Sequence, residues 1–194
     1  MVVMLNKKVL LGLTAIVIAI SGYYLYQKYD PFTYYEDKVH VHADFVVVIN
    51  DQRINLSEEK YQSSVRQVLH KNVHLHDGDD HVVHRHAEGI TYGEFLQSLG
   101  FTLTNECLTN DAGEKFCTDE NNVLALYVNE VPQTVLTEYI PQEENKVLLY
   151  YGTRNNPKLR EYLNTVTDES CIYSGTCPER GTAPAESCGL TCEI

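Results

Sequence analysis

The sequence predicts an α+β domain of the β-grasp kind, with strand hairpins packed on one helix. An N-terminal transmembrane helix is expected ahead of it and a disulfide-rich tail behind it. Three observations carry the prediction. Residues 38–56 alternate as strands around an Asn50-Asp51 turn, and residues 91–100 read as a capped helix stopped by Gly100. Two further strand-like runs follow at 123–128 and 146–151. A chain of 194 residues leaves room for one such domain with a real core.

Composition narrows the function classes. Tyrosine is abundant at 14 and tryptophan absent, so the aromatic bulk carries hydroxyls suited to strands and wet boundaries. A net charge of −12 argues against nucleic acid as a partner, because phosphate contacts need clustered Lys and Arg. The same charge favours attraction of cations.

Lys7 and Lys8 precede an apolar run over residues 9–26. As a helix this run measures about 27 Å, enough to span a bilayer. The lysines set the N-terminus inside and the bulk of the chain outside, with Tyr23, Tyr24, Tyr26 and Tyr29 at the outer interface. A cleaved signal peptide, with Ala19 and Ser21 before the cut, is the alternative, and it too exports the domain. The chain thus divides into an anchor or signal segment (1–29), an extracytoplasmic His-rich domain (38–168) and a Cys-rich tail (169–194), with a linker over 30–37.

Within the domain, residues 38–50 form a strand that turns at Asn50-Asp51 into residues 53–56. Ser57 can cap a helix over 58–70, with Tyr61, Val65, Val68 and Leu69 on one face. A histidine-rich hairpin follows, and then a helix with Thr91 and Glu94 as capping box and Tyr92, Phe95, Leu96 and Leu99 as apolar stripe. Residues 102–121 read as a polar loop closed by Cys107–Cys117. Asn129-Glu130 turns the chain after the first late strand, Gly152 ends the second, and Asn156-Pro157 opens a last helix burying Leu159, Tyr162, Leu163 and Val166.

Six cysteines, none in a C-x-x-C pair, read as disulfides made in an oxidising compartment. Cys107 is expected to pair with Cys117, and Cys171, Cys177, Cys188 and Cys192 among themselves. The tail has almost no apolar periodicity, so bridges must hold it, and reduction should loosen it while sparing the histidines.

Chemistry concentrates in residues 74–101, HLHDGDDHVVHRHAEGITYGEFLQSLGF. Side chains at i and i+2 of a strand share a face, so His40 and His42, His74 and His76, and His84 and His86 form three such pairs. A hairpin loop centred near Asp80 sets His76 opposite His84 and His74 opposite His86, clustering four imidazoles with Leu75, Val83 and Arg85 on the other face. A two-residue turn at Gly78-Asp79 would separate them instead. His40 and His42 join if their strand lies beside the hairpin. His70 and His81 fall on the wrong parity and read as surface residues; Asp44 and Asp77 are ligands, orienting partners or exposed acids.

Imidazoles without a nearby Cys or Met suit Zn²⁺, Cu(II) or nonhaem iron. Zinc is the expected divalent ion and copper the alternative, with His40, His42, His74, His76, His84 and His86 as ligands. The bland alternative is an exposed strand surface.

The runs HVHADFVVVIN, the histidine hairpin, LYVNEVP and KVLLYYG resemble an uncharacterised family of small exported or membrane-anchored prokaryotic proteins. The ending CIYSGTCPERGTAPAESCGLTC resembles the cysteine-rich tail of members from small-genome bacteria. In that family the position of His86 also takes Glu, which is still a metal-ligand type. The resemblance implies export and a shared site but no reaction.

Three functions follow from these residues. The first is a membrane-tethered domain, on the cell membrane with the bulk of the chain extracytoplasmic, that binds Zn²⁺ or Cu(II). The second is a metalloenzyme with three histidines and an open position for water. The third is an envelope scaffold without metal. The missing C-x-x-C argues against a thiol oxidoreductase.

Overall fold

β1 (Lys38–Ile49) is the strand on which the rest of the domain is laid. The structure is a computed structural model, and it describes residues 17, 18, 21 and 38–183. The apolar run over 9–26 lies outside these apart from Val17, Ile18 and Ser21; among the described residues no helix is long and apolar enough to cross a membrane. The linker over 30–37 and the cysteines Cys188 and Cys192 also lie outside them.

β1 is unusually long because its sequence is β-branched or aromatic at nearly every position after Asp44, and it pairs on both sides. β10 (Lys146–Thr153) runs parallel to its second half, from Asp44↔Lys146 to Ile49↔Tyr151. On the other side, β4 (Val82–Ala87) lies antiparallel to its first half and the short β2 (Gln52–Arg53) to its end. β3 (Val73–His74) extends the sheet beyond β4, and β8 (Asn122–Val128) with β9 (Val131–Pro132) extends it beyond β10. The order is β3-β4-β1-β10-β8-β9. Both tight turns are chemically determined: Asn50 and Asp51 have φ of 49° and 65°, and Asn129 and Glu130 have 48° and 68°. Two consecutive left-handed residues give the turn whose twist matches a hairpin.

One face of the sheet is covered by α1 (Tyr92–Ser98), whose Phe95 meets Phe45 edge-on at 5.1 Å between ring centroids. The capping box forms: Thr91 Oγ1 accepts the Glu94 amide and the Glu94 carboxylate accepts the Thr91 amide. α1 approaches residues 136–139 so closely that a Cβ on Gly93 would lie 2.9 Å from the Thr137 carbonyl oxygen. Arg85 is buried on this face and donates to the carbonyls of Pro141 and Ala87. On the opposite face Val46, Val48, Leu148, Tyr150 and Val166 form a core cluster against α2 (Leu159–Leu163). Each large apolar side chain buried this way contributes about 1.5–3 kcal/mol. The histidine pairs stand on that second face, beyond the α2 cluster.

Two local expectations are corrected. The helix over 58–70 does not form: the chain makes a single 3-10 turn (Glu59–Tyr61), and Val65 and Val68 are 78% and 53% exposed. The Ser57 hydroxyl donates to Asn55 Oδ1 instead of capping, and the Gln62 amide bridges Leu56, Asp79 and Gly78, holding this stretch extended. Residues 102–117 are a small three-stranded sheet and no loop, made of β5 (Thr102–Leu103), β6 (Cys107–Thr109) and β7 (Lys115–Cys117). The Cys107–Cys117 disulfide forms between directly opposed residues of β6 and β7. Cys171–Cys177 is the second bridge. It flanks α3 (Ser170–Tyr173), which packs on β1 and makes the start of the tail part of the folded domain.

Candidate metal centre

The β1/β4/β3 register lines up one histidine from each strand: His42 is opposite His84, and His84 is opposite His74. His40, His76 and His86 stand on the same face by strand parity. The loop centres on Asp79 and not Asp80, so each β3/β4 partner moves by two residues from the expected pairing. Parity survives the shift, and all six imidazoles still cluster. Asp79 fixes this centre: its Oδ1 accepts the amides of His81 and Val82, and its own amide donates to the His76 carbonyl.

The rings form a closed circuit. Neighbouring centroids lie at 4.4 Å (His40–His42), 4.7 Å (His42–His84), 4.1 Å (His84–His76), 5.8 Å (His76–His74), 4.9 Å (His74–His86) and 4.7 Å (His86–His40). Burial is nearly complete, with His42, His74, His76 and His84 at 0–2% exposure and His86 at 8%. His40 is half-buried. Solvated strand histidines would not be packed this way, so the site is no exposed strand surface.

Two rings carry visible orienting partners. The Ser174 hydroxyl donates to Glu143, so its oxygen, 2.9 Å from His42 Nδ1, is positioned to accept that N–H. His42 then offers its Nε2 lone pair, and this atom is 3.0 Å from His40 Nε2. Two nitrogens on one tetrahedral zinc are separated by about 3.3 Å for Zn–N bonds of about 2.0–2.1 Å. At the other side, His76 Nδ1 is 2.8 Å from Asp77 Oδ2, while its buried Nε2 has no hydrogen-bond partner among the described residues. A buried polar atom left this way costs about 1–3 kcal/mol. The donor set fits a divalent ion, since carboxylate-backed imidazoles with inward nitrogens are the usual histidine ligands. Ligand nitrogens of His40, His42 and His84 lie within 4.8 Å of one another and can hold a metal ion.

α3 covers the circuit. The Tyr173 ring lies 4.9 Å from His84, 5.7 Å from His42 and 6.5 Å from His76, and its hydroxyl donates to Asp79 Oδ2 at 2.8 Å. Burial, then the bond to Asp79, raises the Tyr173 pKa and keeps it a phenol. Burial opposes the charge on Glu143, but hydrogen bonds from His42 and Ser174 outweigh it and lower its pKa. Asp44, buried on the same face, accepts from Thr167 Oγ1 at 2.5 Å and from the Glu169 and Ser170 amides, so it anchors α3. Sequence reasoning missed Tyr173, Ser174 and Glu143; no spacing rule links them to histidines up to 132 residues away.

The two remaining histidines stay apart from the circuit. His70 accepts the Asn72 amide and its pKa is lowered by burial. His81 sits with Asp79 and Asp80 in a second group of ligand-type side chains, but each is engaged structurally: His81 with Glu169 and Asp80, Asp80 with Arg53, Asp79 with Tyr173.

Fold and site together define an α+β, disulfide-bonded protein with a buried polyhistidine cluster. No family model, curated protein or solved structure matches the chain.

Proposed function

We propose that this protein is a membrane-tethered, extracytoplasmic metal-binding protein that captures Zn²⁺, or alternatively Cu(II), in its histidine circuit. The single observation that carries the reading is the near-complete burial of these imidazoles with His76 Nε2 left without a hydrogen bond among the described residues. A neutral hydrogen-bonded core would not leave such an atom; a cation would satisfy it. Zinc is favoured because the set is all nitrogen and demands no redox chemistry. Capture is favoured over catalysis because Tyr173 and Ser174 lie over the rings, where a metalloenzyme needs an open position.

Two disulfides fit an oxidising, extracytoplasmic compartment. Lys7 and Lys8 ahead of the apolar run support a single-pass anchor with its N-terminus inside. The central parallel β1/β10 pair, flanked by antiparallel strands and covered by α1, supports the β-grasp assignment. The resemblance in the histidine and tail motifs agrees with export.

The test is elemental analysis and calorimetric titration of the full chain without a histidine tag. Bound zinc in the native protein, lost in the His76→Ala/His84→Ala variant and retained in His81→Ala, is the expected result. Unchanged affinity in the double variant would overturn the reading. Membrane fractionation with external protease digestion of the domain checks the topology.

A further inference from the structure

We infer that the circuit holds two ions, the first on His40, His42 and His84 and the second on His74, His76 and His86. This inference rests on the metal-binding reading and adds its stoichiometry and partition.

Ligand number is the first argument. A zinc ion takes four ligands. Six imidazoles are too many for one such ion and suit two sites of three. Arrangement is the second. A single ion draws all its ligands to one centre, whereas here ligand nitrogens of His40, His42 and His84 lie within 4.8 Å of one another in a group that His74, His76 and His86 do not join. The flanking pairs come from different elements: His40 and His42 from β1, and His74 and His76 from β3 and the turn that follows it. They lie on opposite sides of β4, about 10 Å apart at two strand spacings. β4 supplies one ring to each flank.

Orientation is the third argument, because each flank has its own carboxylate. On the β1 side, Glu143 acts through Ser174 on His42 Nδ1, leaving Nε2 beside that of His40. On the β3 side, Asp77 holds His76 Nδ1 and leaves Nε2 buried, with no hydrogen-bond partner among the described residues. Asp77 adopts a left-handed φ of 58°, unfavourable for a residue with a side chain, and Gly78 follows at 79°. One carboxylate serving one ion would leave the other without purpose. Two independent carboxylate–imidazole arrangements, at opposite ends of the circuit, serve two.

The experiment measures metal per chain in the full-length, untagged protein, using Zn²⁺ alone for stoichiometry and Cu²⁺ alone for magnetic resonance. Two zinc ions per chain are expected in the native protein. His40→Asn/His42→Asn and His74→Asn/His76→Asn should each retain one, with circular dichroism showing an unchanged fold. Copper-loaded native protein should give a spin-coupled signal, which requires no variant to fold. One ion per chain with an uncoupled copper signal overturns the two-ion inference and leaves the metal-binding reading standing. Loss of both ions in either flanking variant, with the fold intact, overturns the partition. No bound metal at all overturns the metal-binding reading itself.

Discussion

At the scale of single residues, the proposed metal site depends on side chains that would touch no ion. Asp77 reaches back to His76 Nδ1 because its left-handed backbone turns its carboxylate toward the preceding ring. Orienting carboxylates of this kind are worth about 10–100-fold in metal affinity. Asp77→Ala should therefore weaken zinc binding by about that factor while leaving the metal-free fold intact, and Asp77→Asn should recover part of the loss; calorimetric titration of the three proteins checks this. His81 behaves differently. Burial opposes its charge, but hydrogen bonds that the ring donates to Glu169 and Asp80 more than compensate and raise its pKa. A histidine pKa raised by folding adds stability that is complete below the unfolded value, about 6.5, and is lost as pH climbs through the folded value. The stability gap between the native protein and His81→Gln, measured by urea denaturation without metal, should be wider at pH 5.5 than at pH 8.5. A gap that widens with pH would refute the assignment.

At the scale of elements, α3 and its disulfide decide how the site is closed. Tyr173 and Ser174 lie within the loop that Cys171–Cys177 closes, and both touch the histidine circuit. Reduction of that bridge is therefore no longer expected to spare the site. Opening it in Cys171→Ser/Cys177→Ser should speed zinc release at least tenfold, equivalent to about 1.4 kcal/mol. That is less than the ~2–4 kcal/mol typical of a disulfide, so loss of the bridge can account for it. Transfer of zinc to a chromogenic chelator gives the rate, and an unchanged rate would show that α3 is no cover. The cover was invisible in the sequence because its contacts join residues 94 to 132 positions apart. Features set by local chemistry were legible: the Asn50-Asp51 turn, the Thr91/Glu94 capping box, and the strand parity that puts the histidine pairs on one face. The helix expected over 58–70 failed because its apolar spacing is helical while its polar side chains bond elsewhere. Gln62 ties the segment to the Asp79 turn, and Ser63 pairs with His76. The same turn, centred by Asp79, moved the hairpin register by two residues without changing which face the imidazoles share.

At the scale of the whole molecule, the proposed metal binding makes metal and fold one equilibrium. Three strands and α3 meet at the circuit, so an ion bound there joins segments far apart in sequence. The unfolded chain cannot preserve this geometry, so zinc should bind the folded state preferentially and stabilise it. Free zinc at 100 times its dissociation constant adds about 2.7 kcal/mol for each site filled, which for a chain of this size raises Tm by roughly 5–10 °C per ion. The net charge of −12 would help draw such a cation in. Protons compete for the same nitrogens, since an imidazole coordinates only after losing its proton, and its ordinary pKa is near 6.5. Scanning calorimetry with zinc and with chelator should then show the full shift at pH 7.5 and almost none at pH 5. Equal Tm values at pH 7.5 would sink the coupling. An equal shift at both pH values would place the zinc on carboxylates and not on the buried imidazoles, because carboxylates remain ionised at pH 5.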